Sequence, residues 1–374
     1  MKVIHIVENL DKGAVENWLV NIFIESRKIR PEWDWTFYCI LGKEGRLDER
    51  VRNAGGKIIY SPVTISHKAK FLKHLRNVLR AGRYDIIHSH HDYLSGFYLL
   101  ASAGIKFRRR FLHVHNTDKA LPVGNKTVHN LLLRPFRTIG SYLSDTIIGI
   151  SKNTLAEFTG SEKIGKRHAI LYYGIDMSRF NVPALRSEVR KNLNLPENSR
   201  ILLYAGRMND LKNPEFVVDV LMHLLKLRPD VYAVFIGSGD KEKNVIQKAQ
   251  TLNITSHIRQ PGWYDNVPVL MKSSDVFVFP RKEYPKEGLG LVVVEAQAAG
   301  LPMFITEGIV PDAIVIPELA HVNSLHDPKQ WAEQINEVLN KSLPISPEES
   351  LELMKNSAFE LGAAARNLVD LYEH

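Results

Sequence analysis

The sequence predicts an α/β protein of two Rossmann-like domains, each a parallel sheet wrapped by helices. Three observations carry that expectation. Short apolar runs alternate with helical patterns along all 374 residues. The alternation begins at KVIHIV (2–7) and begins afresh at RILLYAG (200–206). Glycine turns follow several runs, at Gly13, Gly206 and Gly237, and in open parallel sheets ligands bind at such strand ends.

In the first half, KVIHIV reads as a strand and AVENWLVNIFIES (14–26) as an amphipathic helix. Further strands are expected at WTFYCI (35–40), KIIY (57–60), DIIHSH (85–90), FLHVH (111–115), DTIIGI (145–150) and HAILYY (168–173). Helical stretches fall near 68–82, 94–104, 126–143 and 151–158. In the second half, strands are expected at 200–206, 232–239, 275–280 and 302–306. Helices are expected over 213–227, 240–252, 291–299, 328–340 and 347–373. No fixed-period repeat is visible, which excludes a solenoid. Pro183 interrupts the pattern near 180–186 and marks a linker. The expected organisation is a first domain over 1–182, a second over 183–356 facing it across a cleft, and a last helix over 357–374.

Composition narrows the function classes. Hydrophobic content of 44% and charged content of 24% are those of an ordinary globular protein. No apolar run approaches a membrane span, and MKVIHIVENLD is too short an apolar stretch for a secretory signal. The single cysteine, Cys39, lies in a strand-like run, so no disulfide framework is expected and a cytoplasmic setting fits. The formal charge of +8 is uneven. Residues 1–180 hold 29 Lys/Arg against 16 Asp/Glu, whereas residues 181–374 hold 20 against 25. Residues 51–137 hold 16 basic and 3 acidic side chains, either a solvated face or a surface for phosphates.

The segment EGLGLVVVEAQAAGLP (287–302) holds the most chemistry. Gly288 and Gly290 bare the backbone where a helix begins, and a helix N-terminus is an anion site. From Gly290 to Glu295 the helical rise is about 7–8 Å, which would set Glu287 and Glu295 to either side of a diphosphate. A hydroxyl-rich group at each end of that diphosphate describes a nucleotide-sugar. Gly-x-Gly before a helix is common, and Glu287 could simply favour the helix dipole. Glu295, set among Val292, Val293, Val294 and Ala296, is harder to explain without a partner.

In GRMNDLKNPE (206–215), Arg207 and Lys212 follow a strand end, where two cations can clamp a diphosphate and stabilise it as a leaving group. The alternative is a surface loop with two unrelated charges. GSGD (237–240) could make room for a base, a weak signal alone. Lys12-Gly13-Ala14 lets a helix start approach a phosphate or sugar, but it has one of the three glycines of a dinucleotide fingerprint. His88, His90 and His91 end one strand, and His113 and His115 the next. They could bind a metal, yet no Cys or carboxylate joins the spacing, and no metal is expected. His115, followed by Asn116, Thr117 and Asp118, is better placed as a hydrogen-bonder in a cleft. No Asp-x-Asp occurs, so fixed cations would have to replace a metal at the diphosphate.

Together these residues resemble the retaining glycosyltransferases of family four, which have the GT-B fold. The matching segments are EGLGLVVVEAQAAGLP, GRMNDLK, YGIDMSRF (173–180), DVFVFP (275–280), DIIHSHH (85–91) and the C-terminal helix ending Leu371-Tyr372. The resemblance implies that Arg207 and Lys212 hold the donor diphosphate, Glu295 the ribose, and Glu287 the donor sugar, helped by backbone amides of Leu289, Gly290 and Leu291. It implies that His115 touches the sugar or supports the departing bond, that Gly13 lets the first loop approach the donor, and that Gly206 and Gly237 line the donor site. The catalytic candidates are therefore Glu287, His115, Lys212 and Arg207. It further implies front-face attack with retention, with the leaving phosphate as base. The first domain would bind the acceptor and the second the donor, with the last helix returning to the first domain.

Three departures bear on the sugar. Tyr173 stands where asparagine is usual, Lys12-Gly13-Ala14 where two glycines are common, and the segment Arg281 to Lys286 is longer and basic. The implied activity is transfer of a hexose or N-acetylhexosamine from a UDP-sugar co-substrate, without metal or other cofactor, in bacterial capsule, exopolysaccharide or lipopolysaccharide synthesis. The acceptor would be a glycan, lipid-linked, and the basic first domain would meet an anionic membrane face. Nucleic acid is not an expected partner. Two other readings are a GT-B UDP-sugar epimerase, turning over without acceptor, and a non-catalytic basic protein binding polyanions.

Overall fold

The computed structural model describes residues 1–11, 13–116 and 126–374, with side chains described outside 126–132. Contacts divide the chain into two compact units, residues 1–175 with 358–374, and residues 176–357.

Among the described residues the first unit holds seven strands: β1 (Lys2–Val7), β2 (Asp34–Cys39), β3 (Lys57–Tyr60), β4 (Ile86–Ser89), β5 (Arg109–Val114), β6 (Thr146–Gly149) and β7 (His168–Ile170). Their order is β3-β2-β1-β4-β5-β6-β7, all parallel. The order reverses between β1 and β4, which opens a crevice at their carboxyl ends. These strands are near-continuous apolar runs because helices cover both faces. The helices are α1 (Ala14–Ile29), α2 (Asp48–Asn53), α3 (Lys68–Gly82), α4 (Ser95–Leu100), α5 (Lys126–Leu143) and α6 (Lys152–Thr159). α1 buries Trp18, Leu19, Ile22, Phe23 and Ser26, the spacing of one helical face. α3 buries only Phe71, Leu75 and Leu79, leaving its basic side chains outside.

The second unit repeats the plan. Its strands are β8 (Arg200–Ala205), β9 (Val231–Ile236), β10 (Ile258–Gly262), β11 (Val276–Phe279), β12 (Met303–Ile305) and β13 (Ala320–Val322). They lie in the parallel order β10-β9-β8-β11-β12-β13, with the reversal between β8 and β11. Its helices are α7 (Arg186–Asn192), α8 (Pro214–Leu225), α9 (Glu242–Thr251), α10 (Val267–Ser273), α11 (Leu291–Ala298), α12 (Pro328–Leu339) and α13 (Pro347–Lys355). At the amino ends of β8 and β11, Asp275 gathers Arg186, Arg190 and Arg200 and accepts from the Ile201 amide, so buried Arg190 is compensated.

The structure differs from the sequence expectation in several elements. The helix expected over 347–373 is two, α13 and α14 (Leu361–Glu373). The chain between them bonds to the junction strand: the Ile175 amide donates to the Phe359 carbonyl, and Glu360 then caps α14 through the amides of Gly362 and Ala363. α14 belongs to the first unit, where Glu373 pairs with Arg30 at 2.6 Å. Asp176 to Phe180 belongs to the second unit, where Lys272 Nζ donates to the Phe180 carbonyl. β10 went unread because it is polar and ends in Pro261-Gly262, as an edge strand can. β13 and the short helices α2, α7 and α10 went unread because none is long enough to show a period.

Candidate functional site

In the second unit the site is built at the β8/β11 crevice. Gly206 follows β8, its amide donates to the Ile236 carbonyl, and Met208 N donates to the Ser238 carbonyl. The two glycine turns lie backbone on backbone. A Cβ on Gly237, whose φ is +108°, would fall 2.2 Å from the Gly206 oxygen, so only glycine fits. Asn209 Oδ1 accepts from the Lys212 amide and closes the loop that carries Arg207 and Lys212.

Lys212 Nζ lies over the Phe279 ring, 4.9 Å from its centre, and donates to Glu287 Oε2 at 2.6 Å. Arg281, 2% exposed and just past β11, donates from Nε to the same oxygen at 2.5 Å. Its carbonyl accepts from Thr306 Oγ1, and the Glu287 amide donates to the Gly308 carbonyl. Burial pulls the Lys212 ammonium below its ordinary value; Glu287 pulls it up, while Arg281 and Arg207 push it down. Burial alone would raise Glu287, but the charges of Lys212 and Arg281 outweigh it and hold the carboxyl below its usual range. Glu287 is therefore ionised at neutral pH. Lys212, Arg281 and Arg207 together exceed the one carboxylate, so the cluster keeps positive charge to offer an anion.

Glu287 also lies against the start of α11. A Cβ on Gly290 would be 3.6 Å from Glu287 Cγ, and Gly290 takes φ +84° as the N-cap. Among the described residues no side chain caps that end; the Val293 amide donates to the Gly290 carbonyl, and the amides of Leu291 and Val292 open the helix beside Glu287. Leu289 is buried beside it, and Leu291 opens the helix. Glu295, in the second turn, is half-buried. Its burial pushes the carboxyl up to about 7, with the charge of Arg179 pulling the other way.

In the first unit a cavity of about 250 Å³ opens at the β1/β4 crevice, lined by Glu8, Glu16, His90, His91, Asp92 and His115 among others. Gly13 precedes α1, and a Cβ there would lie 1.9 Å from Glu16 Oε2. The helix's own carboxylate thus sits where a ligand anion was expected to approach. Burial raises the Glu16 carboxyl, and the charges of Glu8 and Asp11 raise it further. Asp92 accepts from the amides of His115 and Asn116 and from Asn116 Nδ2, tying the ends of β4 and β5 together. His115 is 4% exposed with both ring nitrogens engaged, Nδ1 with the Tyr173 hydroxyl at 2.5 Å and Nε2 with His90 Nδ1 at 3.0 Å. Burial holds it neutral, down to about 3. Lys12, Thr117 and Asp118 lie outside the described residues.

The structure therefore brings Gly206, Arg207, Lys212, Gly237, Glu287 and Gly290 to one crevice of the second unit, with Glu295 on the helix that begins there. Gly13 and His115 lie at the corresponding crevice of the first. Sequence reasoning noted Arg281 only as an unusual basic residue. Its signal was position: it follows a strand at the switch point directly. It also did not join the histidines to Tyr173 and Tyr372, which lie far apart in sequence.

Among the described residues no helix is long and apolar enough to cross a membrane. Residues 33–179 match the model of Glycosyltransferase Family 4, and residues 186–359 that of Glycosyl transferases group 1. The chain belongs to these glycosyltransferases. It is 24% identical over 385 residues to a capsular polysaccharide biosynthesis glycosyltransferase, CapH, of Staphylococcus aureus, covering 100% of this chain and 98% of the relative. It is 25% identical over 271 residues to the UDP-Gal:alpha-D-GlcNAc-diphosphoundecaprenol alpha-1,3-galactosyltransferase of Escherichia coli, covering 70% and 67%. Its fold is similar to that of Anabaena HepE, solved in complex with UDP-glucose, with a TM-score of 0.80 at 16% identity over 100% and 99% of the chains. The protein is accordingly a glycosyltransferase with the GT-B fold.

Proposed function

We propose that this protein moves a hexose or N-acetylhexosamine from a UDP-sugar to a glycan acceptor, with retention of anomeric configuration and without a metal. The observation that carries the reading is the convergence of Lys212 and Arg281 on Glu287, with Arg207 near and the uncapped start of α11 alongside. Arg207, Lys212 and the first-turn amides would take the diphosphate and stabilise it as it leaves. Glu287, held ionised, would accept from sugar hydroxyls, and Glu295 from the ribose. Fixed cations supply the charge that a divalent ion supplies elsewhere. Retention fits a front-face path in which the leaving phosphate takes the acceptor proton, so no protein nucleophile is required.

A UDP donor is supported by the printed ligand of HepE and the printed donor of the Escherichia coli relative. A lipid-linked acceptor is supported by the diphosphoundecaprenol named for that relative and by the basic stretch over 51–137, which would draw the protein to an anionic membrane surface. The test is thermal unfolding with UDP-, GDP- and ADP-sugars in a chelator. A ligand at about 100 times its Kd adds about 2.7 kcal/mol, so a rise with one UDP-sugar alone is expected. No shift with any UDP-sugar, or one that needs a metal ion, refutes the reading.

A further inference from the structure

Five buried histidines line one face of the first sheet: His5 on β1, His88 and His90 at β4, and His113 and His115 at β5. Their spacing of two along each strand keeps them on that face. With two tyrosines they form a continuous chain. The Tyr173 hydroxyl is 2.5 Å from His115 Nδ1, His115 Nε2 is 3.0 Å from His90 Nδ1, and His90 Nε2 is 2.9 Å from His5 Nδ1. His5 Nε2 lies 3.5 Å from the Tyr372 hydroxyl, the longest link. That hydroxyl is 2.6 Å from His88 Nδ1, and His88 Nε2 is 3.2 Å from His113 Nδ1. Among the described residues His113 Nε2 has no hydrogen-bond partner, and its ring meets Trp18 edge to face at 5.3 Å.

The rings are arranged for hydrogen bonds rather than for a metal. Two triads, His5/His88/His90 and His90/His113/His115, bring nitrogens within 4.8 Å of one another. But His88 stacks on His90, and His113 on His115, both at 4.2 Å, so stacked pairs point their nitrogens side by side instead of at one centre.

A neutral imidazole carries one N–H and one bare nitrogen, so the direction of one link dictates every other. If Tyr173 donates into the chain, each ring donates onward and the surplus proton rests on His113 Nε2, beside the Trp18 ring. If the chain runs the other way, His113 keeps a bare buried lone pair beside an aromatic ring, and Tyr173 must find another acceptor. The first direction is the satisfied one.

We propose that Tyr173 is a positioning residue whose hydroxyl, donating to His115 Nδ1, sets the direction of this chain and fixes His115 as the neutral Nε2–H tautomer in the wall of the β1/β4 cavity. The assignment gives a role to the tyrosine that stands where asparagine was expected. That the cavity serves transfer rests on the function proposed above; the tautomer does not.

The test is long-range ¹H–¹⁵N correlation on the full chain labelled with ¹⁵N-histidine, at neutral pH and without ligand, with each ring assigned from its His→Gln variant. His115, His90 and His5 should all carry their proton on Nε2. In Tyr173→Phe the pattern at His115 and His90 should change or average. In Tyr372→Phe, which cuts the chain further on, His115, His90 and His5 should keep their tautomer while His88 and His113 change. That polarity is what a merely structural tyrosine would not produce, and either variant alone tests it if the other fails to fold. Transfer by Tyr173→Phe should fall about tenfold in kcat with little change in the donor KM, as for loss of a residue supporting a site group. A wild-type His115 protonated on Nδ1, a change at His115 in Tyr372→Phe but not in Tyr173→Phe, or one equivalent of metal retained through dialysis would each overturn the proposal. An unaltered spectrum pattern with no transfer by the wild type would instead sink the function and spare the chain.

Discussion

Lowering the pH from 7 to 5 should selectively unfold the first unit. Its buried imidazoles are all held neutral by desolvation: His5 and His115 down to about 3, His91 to about 4, and His88, His90 and His113 well below their usual 6.5. In the unfolded chain each would take up a proton near pH 6.5. The unfolded state therefore binds more protons below that pH, and stability is lost as pH falls. For a group whose folded value lies well under 5, the loss between pH 7 and pH 5 is about 2 kcal/mol. The three with definite values then cost about 6 kcal/mol. Facing groups modify this. Tyr173 and Tyr372 are pushed up by burial and stay neutral, whereas Asp92, raised to about 6 by burial, binds its proton in the folded state and returns about 1 kcal/mol. The remainder, about 5 kcal/mol, rivals the whole stability of a domain. In the second unit Glu295, raised to about 7, works in the opposite sense and should add stability over the same interval. Hydrogen exchange read strand by strand, with urea midpoints at pH 7, 6 and 5, checks this: protection in β1, β4 and β5 should collapse while that in β8 and β9 holds. Equal protection of β1 at both ends of the range would mean that the imidazoles are charged or otherwise paired, and the reasoning would fail.

Lys212→Ala should leave the protein folded, since Arg281 still holds Glu287, but lower transfer by roughly 100-fold or more and abolish the thermal shift with a UDP-sugar. Glu287→Gln removes the carboxylate from among three cations. It should keep nucleotide binding, measured by calorimetry with UDP, while transfer falls by a similar factor. Arg281→Ala empties a buried cation site beside the half-buried Glu287 carboxylate and should cost about 3 kcal/mol in urea unfolding. Gly237→Ala forces a Cβ to within 2.2 Å of the Gly206 oxygen at a positive φ, and should destabilise the second unit by about 2 kcal/mol or more while also weakening nucleotide binding.

Much of the fold was legible because parallel strands covered on both faces must be apolar runs, as at Ile86–Ser89 and Val276–Phe279. Glycine turns at Gly206 and Gly237 marked strand ends for the same reason that they pack there: no side chain fits. What escaped was information that only three dimensions hold. The break before Leu361 comes from pairing with Ile175, some 185 residues away, and no local signal announces it. Arg281 looked like an extra charge in a long loop until β11 set it against Glu287. The histidines were visible as clusters at two strand ends and His115 as a hydrogen-bonder in a cleft, but not as one chain, because the tyrosines that complete it come from the domain junction and the last helix.

The two units share a strand order up to the switch point yet set opposite electrostatics there, and the surface inverts the pattern. The acidic half of the chain encloses the cationic clamp of Arg207, Lys212 and Arg281, while the basic half encloses a cavity walled by neutral imidazoles and carboxylates. Site charge is therefore local and independent of the field of the whole. In the first unit the positive excess is displayed outward, for example by exposed Lys68, Lys70, Lys73 and Arg80 on α3, where it can act over about a Debye length on a distant anionic surface. Walling the β1/β4 cavity with histidines that cannot charge keeps positive charge out of it, and it does so at the cost of the acid lability worked out above.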